Sequence, residues 1–243
     1  MPNPWDAGSA RLLQQAGFAA LATTSSGHAA SLGKLDQHVT LDELVAHVAV
    51  LTAAVEVPVS VDAERGFADE ASGLTAVVDR LADAGAAGLS IEDFDPAAKA
   101  IDPLAVAVER VGVAAEAAHR HGMVLTARAE NLLYLAGDLA DTIARLQAYR
   151  DAGADAVYAP GLVDLAEIAR VVSETGVPVN VLARPGGPTV LALGGVGVRR
   201  VSTGGTLAWN AYGELVRAAE QLAADGTVTA GLSPRVRSEA FGG

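Results

Sequence analysis

The chain has 243 residues, enough to bury the core of one large domain or two small ones, and no cysteine, which rules out disulfides, thiolate metal ligands and cysteine nucleophiles. Hydrophobic residues make up 51% and charged residues 19%, the balance of a compact soluble protein. The net charge of −12 argues against nucleic acid, since neutralising phosphates takes clustered Lys and Arg, and it requires a small anion to be held by a local cation. Residues Met1-Pro2-Asn3-Pro4-Trp5-Asp6 lack the basic and apolar regions of a signal peptide, and no apolar stretch of about 18 residues runs free of charge. A cytoplasmic location with no membrane contact is expected.

In chain order, the patterns predict helices near 6–16, 40–54, 72–84, 103–120, 138–151, 163–174 and 205–224. Strands are predicted near 18–23, 57–62, 87–92, 123–128, 155–159, 178–182 and 198–202. Thr40-Leu41-Asp42-Glu43 opens a helix with a capping box. Asp102-Pro103 reads as another start, a capping Asp followed by Pro at the first helical position. Ala16-Gly17, Ala84-Gly85 and Ala152-Gly153 recur 68 residues apart, each Gly standing where a helix ends and a strand is about to begin. That interval equals two βα units. Seven strands alternating with seven helices predict an α/β fold, a single (β/α)8 TIM barrel over 1–243. Its first strand is a stub within Met1 to Pro4, or else the chain starts after it. A doubly wound open sheet competes, but Thr23-Thr24-Ser25-Ser26-Gly27 does not fit the glycine-rich fingerprint that such sheets carry after their first strand.

Three strands end in charge. Val57 to Val61 runs into Asp62-Ala63-Glu64, Ala87 to Ile91 into Glu92-Asp93, and Met123 to Ala127 into Arg128-Ala129-Glu130. Side chains alternate along a strand, so Asp62 and Glu64 point one way, as do Arg128 and Glu130. On parallel neighbours ~4.8 Å apart these groups crowd one rim, and in a barrel the C-terminal rim is where catalytic groups sit. Carboxylates so close repel; a hard divalent cation with oxygen ligands relieves them, and so would pairing with Arg128.

Through these segments the chain resembles the isocitrate lyase/phosphoenolpyruvate mutase superfamily. The match runs through Ser60 to Phe67, Ala84 to Asp93 and Thr126 to Glu130. It extends upstream through Pro2 to Ala10 and Ser31 to Asp36, and downstream to Arg200-Val201-Ser202. The resemblance implies that Asp62 is the direct Mg2+ or Mn2+ ligand, with Glu64 and Glu92 holding metal-bound waters. It implies that Asp36 is a loop carboxylate close to the substrate, and that the Thr24-Ser25-Ser26 turn binds a substrate carboxylate. Arg128 would clamp the other anionic end. The implied chemistry makes or breaks a bond beside a 2-oxo acid or carboxylate through a metal-stabilised enolate. The family commonly forms oligomers, so a homodimer or homotetramer is expected, with the last helix, about 205–224, on a neighbouring subunit.

Departures from the family narrow the expectation. The lyases that cleave isocitrate or methylisocitrate use a cysteine acid/base, absent here, and the corresponding stretch Phe94 to Ala100 is short. Glu64 and Phe67-Ala68 stand where Asp and Tyr-Gly are usual, and Ala159 stands where many members place a histidine. The expected function is a Mg2+-dependent lyase or hydrolase cleaving a C–C bond of a small 2-oxo or hydroxy dicarboxylate. A cysteine-less, phosphoenolpyruvate mutase-like or oxaloacetate hydrolase-like member fits these departures. Phosphonate P–C chemistry and a metabolite-binding barrel without turnover are the alternatives. Further candidates are Asn180, facing or filling the mouth, His28 and His38 as proton donors on loops, and Gly204-Gly205 as a phosphate-binding turn. His119 and His121 are read as helix-end residues, and Trp209 as core or interface.

Overall fold

The computed structural model describes residues 1–134, 136–228 and 230–242. Seven strands form one parallel sheet in the order β1 (Leu21–Ala22), β2 (Val59–Asp62), β3 (Gly88–Glu92), β6 (Val124–Arg128), β7 (Ala156–Tyr158), β8 (Val179–Leu182) and β9 (Arg200–Ser202). A separate hairpin pairs β4 (Phe94–Asp95) with β5 (Ala100–Ile101). Helices α1 (Ala7–Gln15), α3 (Leu41–Ala54), α4 (Leu74–Asp83), α5 (Leu104–Arg120), α6 (Leu139–Asp151), α7 (Leu165–Thr175) and α9 (Thr206–Asp225) fall within one or two residues of the predicted bounds. Three helices were not anticipated: α2 (Ser25–Ser31), α8 (Val190–Gly195) and α10 (Pro234–Phe241).

The missing first strand is a stub. Met1 donates its ammonium to the Val201 carbonyl at 2.8 Å, and Ala22 N–H donates to the Pro2 carbonyl at 3.0 Å. The Asn3 side chain finishes the seam: Nδ2 donates to the Thr23 carbonyl at 2.7 Å, while Oδ1 accepts from Thr203 N–H at 2.8 Å and Gly204 N–H at 3.1 Å. Residues 1–3 thus lie between β9 and β1 and bring an open edge to closure, the barrel expected from sequence. The doubly wound alternative does not survive this seam.

Alternation along the strands divides the residues between two environments. Val59 and Val61, Leu89 and Ile91, Leu125 and Ala127, Val157, and Val179 and Val181 face the helix layer and join its core with Val78, Leu81, Ala114, Ala118, Leu146, Ile168 and Val171. The intervening residues are polar or charged: Asp62, Ser90, Thr126, Arg128, Tyr158, Asn180, Arg200 and Ser202 line a cavity of about 250 Å³ at the barrel mouth. Most barrels fill this space with branched apolar side chains; here polar and charged side chains share the lining with Ala22, Val61 and Leu182.

The helix starts and stops follow the local chemistry. Thr40 and Glu43 form the capping box that opens α3. Gly17, Gly85 and Gly153 adopt φ of 88°, 91° and 110°, the left-handed conformation that ends each helix cheaply only at glycine. Asp102 does not cap α5 as expected. Pro103 is the N-cap, and Asp102 takes two hydrogen bonds from Arg65, at 2.8 and 2.9 Å, because a guanidinium offers a stronger partner than a helix amide. Trp209 is exposed on α9 rather than buried in the core, as are Leu215, Val216 and Leu222. No helix among the described residues is long and apolar enough to cross a membrane.

Candidate active site

Parallel pairing sets β2, β3 and β6 side by side, with Asp62 level with Ser90 and Glu92 level with Arg128. Arg128 is the hub of the acidic rim. Its Nη1 donates to Asp62 Oδ1 at 2.7 Å, its Nε to Glu130 Oε1 at 2.9 Å, and its Nη2 lies 3.0 Å from Glu92 Oε2. Every nitrogen of the guanidinium thus meets a carboxylate, and its carbon stands 5.4 Å from the centre of the Tyr158 ring. The sequence-expected convergence of Asp62, Glu92, Arg128 and Glu130 is present, and pairing through Arg128 is what binds it together. Asp93 braces the arrangement from below. It accepts the Glu130 N–H at 2.8 Å and the Tyr149 hydroxyl at 2.5 Å, and faces Arg145 at 3.1 Å.

Three carboxylates on one guanidinium leave an excess of negative charge. Glu92 and Glu130, almost wholly buried, hold protons more tightly than ordinary carboxyls, first because burial penalises their charged forms and also because they repel each other. Glu64 is pushed up to about 8 by burial and by repulsion from Asp62 and Asp36. Asp36 is also raised, by desolvation and by Asp62, although Ser25 donates to it. Oxygen-rich and short of positive charge, this donor set suits a hard divalent cation. Among the described residues, however, no three His, Cys, Asp or Glu side chains gather closely enough to enclose a bare ion.

Glu64 does not reach its place by strand alternation. The strand ends at Asp62, and Glu64 takes a left-handed φ of 48° that a non-glycine residue adopts only when its surroundings impose it. Here Arg110 donates to the carbonyls of Arg65 at 2.6 Å and Ala68 at 2.8 Å, and Arg65 is locked on Asp102. Glu64 consequently lines a neighbouring hollow with Gln37 and Arg65, one step aside from the main cavity. Gln37, itself at φ 65°, donates to Glu92 at 3.0 Å and ties the Asp36 loop to the rim.

Thr24, Ser25 and Ser26 were expected in a turn and instead start α2, with Thr24 as N-cap. All three line the cavity with Asp36. Ser25 N–H donates to Asp62 Oδ2 at 3.1 Å, so this segment is fastened directly to the strand-end carboxylate. Gly205 permits the approach of α9: a Cβ there would stand 2.4 Å from Ser26 Oγ. Gly204 and Gly205 both line the cavity. Across it, Asn180 Nδ2 donates to Ser202 Oγ at 3.0 Å and Asn180 Oδ1 accepts from Arg200 Nε at 3.1 Å, so Asn180 both faces the mouth and is buried in it.

The histidines lie elsewhere. His28 is buried in α2 rather than looped out, stacked on His47 with ring centroids 3.7 Å apart. His38 is exposed and bonded to the Asp36 carbonyl at 2.9 Å. His119 and His121 contact Asp155 at 3.1 Å and Asp79 at 2.7 Å, partners that the helix-end reading did not include. Arg200 was missed as a site residue. Its signal was the alternation Arg200-Val201-Ser202, which puts both polar groups on the inner face of the last strand.

A barrel whose C-terminal mouth carries strand-end carboxylates, an arginine hub and an opposing hydroxyl-rich helix start belongs to the class of metabolic enzymes that work on small anions. Residues 1–223 match the family model described as phosphoenolpyruvate phosphomutase, and the chain belongs to this family, within the isocitrate lyase/phosphoenolpyruvate mutase superfamily. A solved candidate lyase/mutase of Burkholderia cenocepacia J2315 is 47% identical with a TM-score of 0.95, covering 100% of this chain and 90% of that one. An uncharacterised protein of Mycobacterium tuberculosis is 37% identical over 205 residues, 84% of this chain and 76% of that protein. The 2-methylisocitrate lyase of Salmonella typhimurium is 33% identical over 183 residues, 72% of this chain and 61% of that enzyme. Enzymes of this superfamily are lyases, mutases and hydrolases of small carboxylates or phosphonates.

Proposed function

We propose that this protein is a Mg2+-dependent lyase or hydrolase that cleaves a C–C bond of a small 2-oxo or hydroxy dicarboxylate. The observation that carries the reading is the set of strand-end carboxylates gathered on Arg128, facing the Thr24–Ser26 segment across one cavity. Asp62 would hold Mg2+ or Mn2+, with Glu64 and Glu92 supporting it through water, as the family resemblance implies. The raised proton affinities of Glu64 and Glu92, set first by burial and then by repulsion among carboxylates, fit that role, because a bound cation relieves the repulsive part. When bound, the metal supplies Lewis-acid polarisation of the substrate's oxo group.

The chain's own residues do the rest. The hydroxyls of Thr24, Ser25 and Ser26 hold a substrate carboxylate. Arg128 fixes the positions of Asp62, Glu92 and Glu130. Asp36, at the cavity edge with a raised proton affinity, is placed to carry a proton at its carboxyl oxygen in the absence of the family's cysteine. The short β4–β5 hairpin, covered by Phe94 stacked on Tyr134 at 3.8 Å, stands where a longer lid would close. A screen of 2-oxo acids, hydroxydicarboxylates and phosphonopyruvate with Mg2+ and with Mn2+ tests the proposal. Metal-dependent carbon–carbon cleavage is the expected result; turnover of phosphonopyruvate alone, or of nothing, would reject it.

A further inference from the structure

We propose that Arg200 is a second anion-holding residue of this cavity, binding the carboxylate or phosphonate of the substrate that lies away from the metal. The inference rests on reading the cavity as the site of a small dianion. Its starting point is a difference in saturation. Arg128 meets a carboxyl group with each of its three nitrogens, so its donors are committed before any ligand arrives. Arg200 has no carboxylate partner among the described residues. Its Nε donates to the neutral Asn180 carboxamide at 3.1 Å, its Nη2 donates to the Thr126 hydroxyl, and its Nη1 makes no hydrogen bond to a described residue.

The position supports the same reading. Arg200 lies on the inner face of β9, next to Asn180 on β8, and lines the cavity together with Ser202, Gly204 and Gly205. Burial lowers its hold on its proton, and of its neighbours only Tyr158 offsets that. A guanidinium drawn from water without a counter-charge is costly, and an arriving anion recovers that cost as charge-assisted hydrogen bonds. Asn180 and Thr126 then act as splints. Each accepts one guanidinium hydrogen and leaves Nη1 without a bond to a described residue. In a chain of net charge −12, a dianion thus has two separate cationic anchors: the metal on the acidic side and Arg200 on the other.

The competing account makes Arg200 a strut joining β6, β8 and β9. Arg200→Gln and Arg200→Lys separate the two, with calorimetric titration of malate and of inorganic phosphate in the presence of Mg2+, and thermal unfolding without anion. If Arg200 holds the anion, Arg200→Gln binds malate ~10-fold or more weakly, the scale of a lost charge-assisted hydrogen bond. Arg200→Lys recovers part of it, Mg2+ affinity measured without anion is unchanged, and the anion-free melting temperature does not fall. A lowered melting temperature with unchanged malate affinity would establish the strut and overturn the proposal. So would failure of the parent protein to bind either anion. Malate binding that depends on Arg200 in a protein that turns over nothing would sink the proposed reaction and keep Arg200. Turnover with a KM indifferent to Arg200→Gln would do the reverse.

Discussion

The two arginines at the barrel mouth stand on different strands, β6 and β9, in opposite settings. On the β2–β3–β6 wall, Arg128 is surrounded by Asp62, Glu92 and Glu130, and each of its nitrogens is committed to one of them. On the β8–β9 wall, Arg200 is held by the neutral groups Asn180 and Thr126. In the proposals made above, the first setting would accept a cation and the second an anion. A bound metal and a bound carboxylate would complete one another across a few ångströms of cavity. The contrast teaches that an arginine's role is read from what saturates it. Arg128, more visible in the sequence, is the more committed to holding its own protein together.

The largest effect that would sharpen this contrast is on stability. Arg128→Met leaves Glu92 and Glu130 buried with no counter-charge, and unpairing buried charges costs ~3–5 kcal/mol. Urea unfolding should show that loss for Arg128→Met and none for Arg200→Gln; equal losses would mean that both arginines are struts and the contrast is false. Next comes metal affinity. Asp62→Asn removes the strand-end charge and should weaken Mg2+ binding ~10-fold or more, about 1.4 kcal/mol, while the fold persists. Unchanged affinity by calorimetry would move the metal away from this wall.

The smallest effect concerns how a third region handles charge. Beneath the Thr24–Ser26 segment, His47 is neither paired nor solvated. It stacks on His28, and its Nε2 has no hydrogen-bond partner among the described residues. Burial, with repulsion from His28 second, pushes His47 down to about 3. The unfolded chain therefore binds the proton more readily than the native one, so stability is present above the unfolded value near 6.5 and is lost as pH falls from there toward 3. Thermal unfolding between pH 7 and pH 4.5 should show a shallower decline for His47→Gln than for the parent, by at most ~1.4 kcal/mol per pH unit. Parallel curves would show that the imidazole is not kept neutral.

The sequence was most legible where one rule of spacing governed. The three glycines 68 residues apart each take the left-handed conformation expected of them, and Thr40 with Glu43 caps as their spacing requires. Asp62, Glu92 and Arg128 meet because parallel strands in register bring their ends together. It was least legible where partners came from far along the chain. Asp102 resembled a cap until Arg65, 37 residues away, claimed it. Helix α2 is only seven residues long and contains a glycine and three serines, too weak a local signal to outweigh the reading as a turn. At Gly27 a Cβ would meet its own N-cap Thr24 at 2.6 Å and also Trp5 and Ala208 at 3.1 Å, the last of these a partner from far along the chain. Arg200 was readable by the same alternation applied to Asp62, but a single basic residue in the last strand draws no notice until its neighbours prove neutral.

The seam made by residues 1–3 has a consequence for the order of events in folding. Its partners at Val201, Thr203 and Gly204 are about 200 positions away, among the longest-range contacts in the molecule. Closing so long a loop carries a high entropic cost that only an otherwise formed sheet can offset. Residues 1–3 can pair early with Ala22 and Thr23, but their bonds to Val201, Thr203 and Gly204 must wait for β9. Asn3 is part of the cavity wall, so the cavity is completed only when the two ends of the barrel meet.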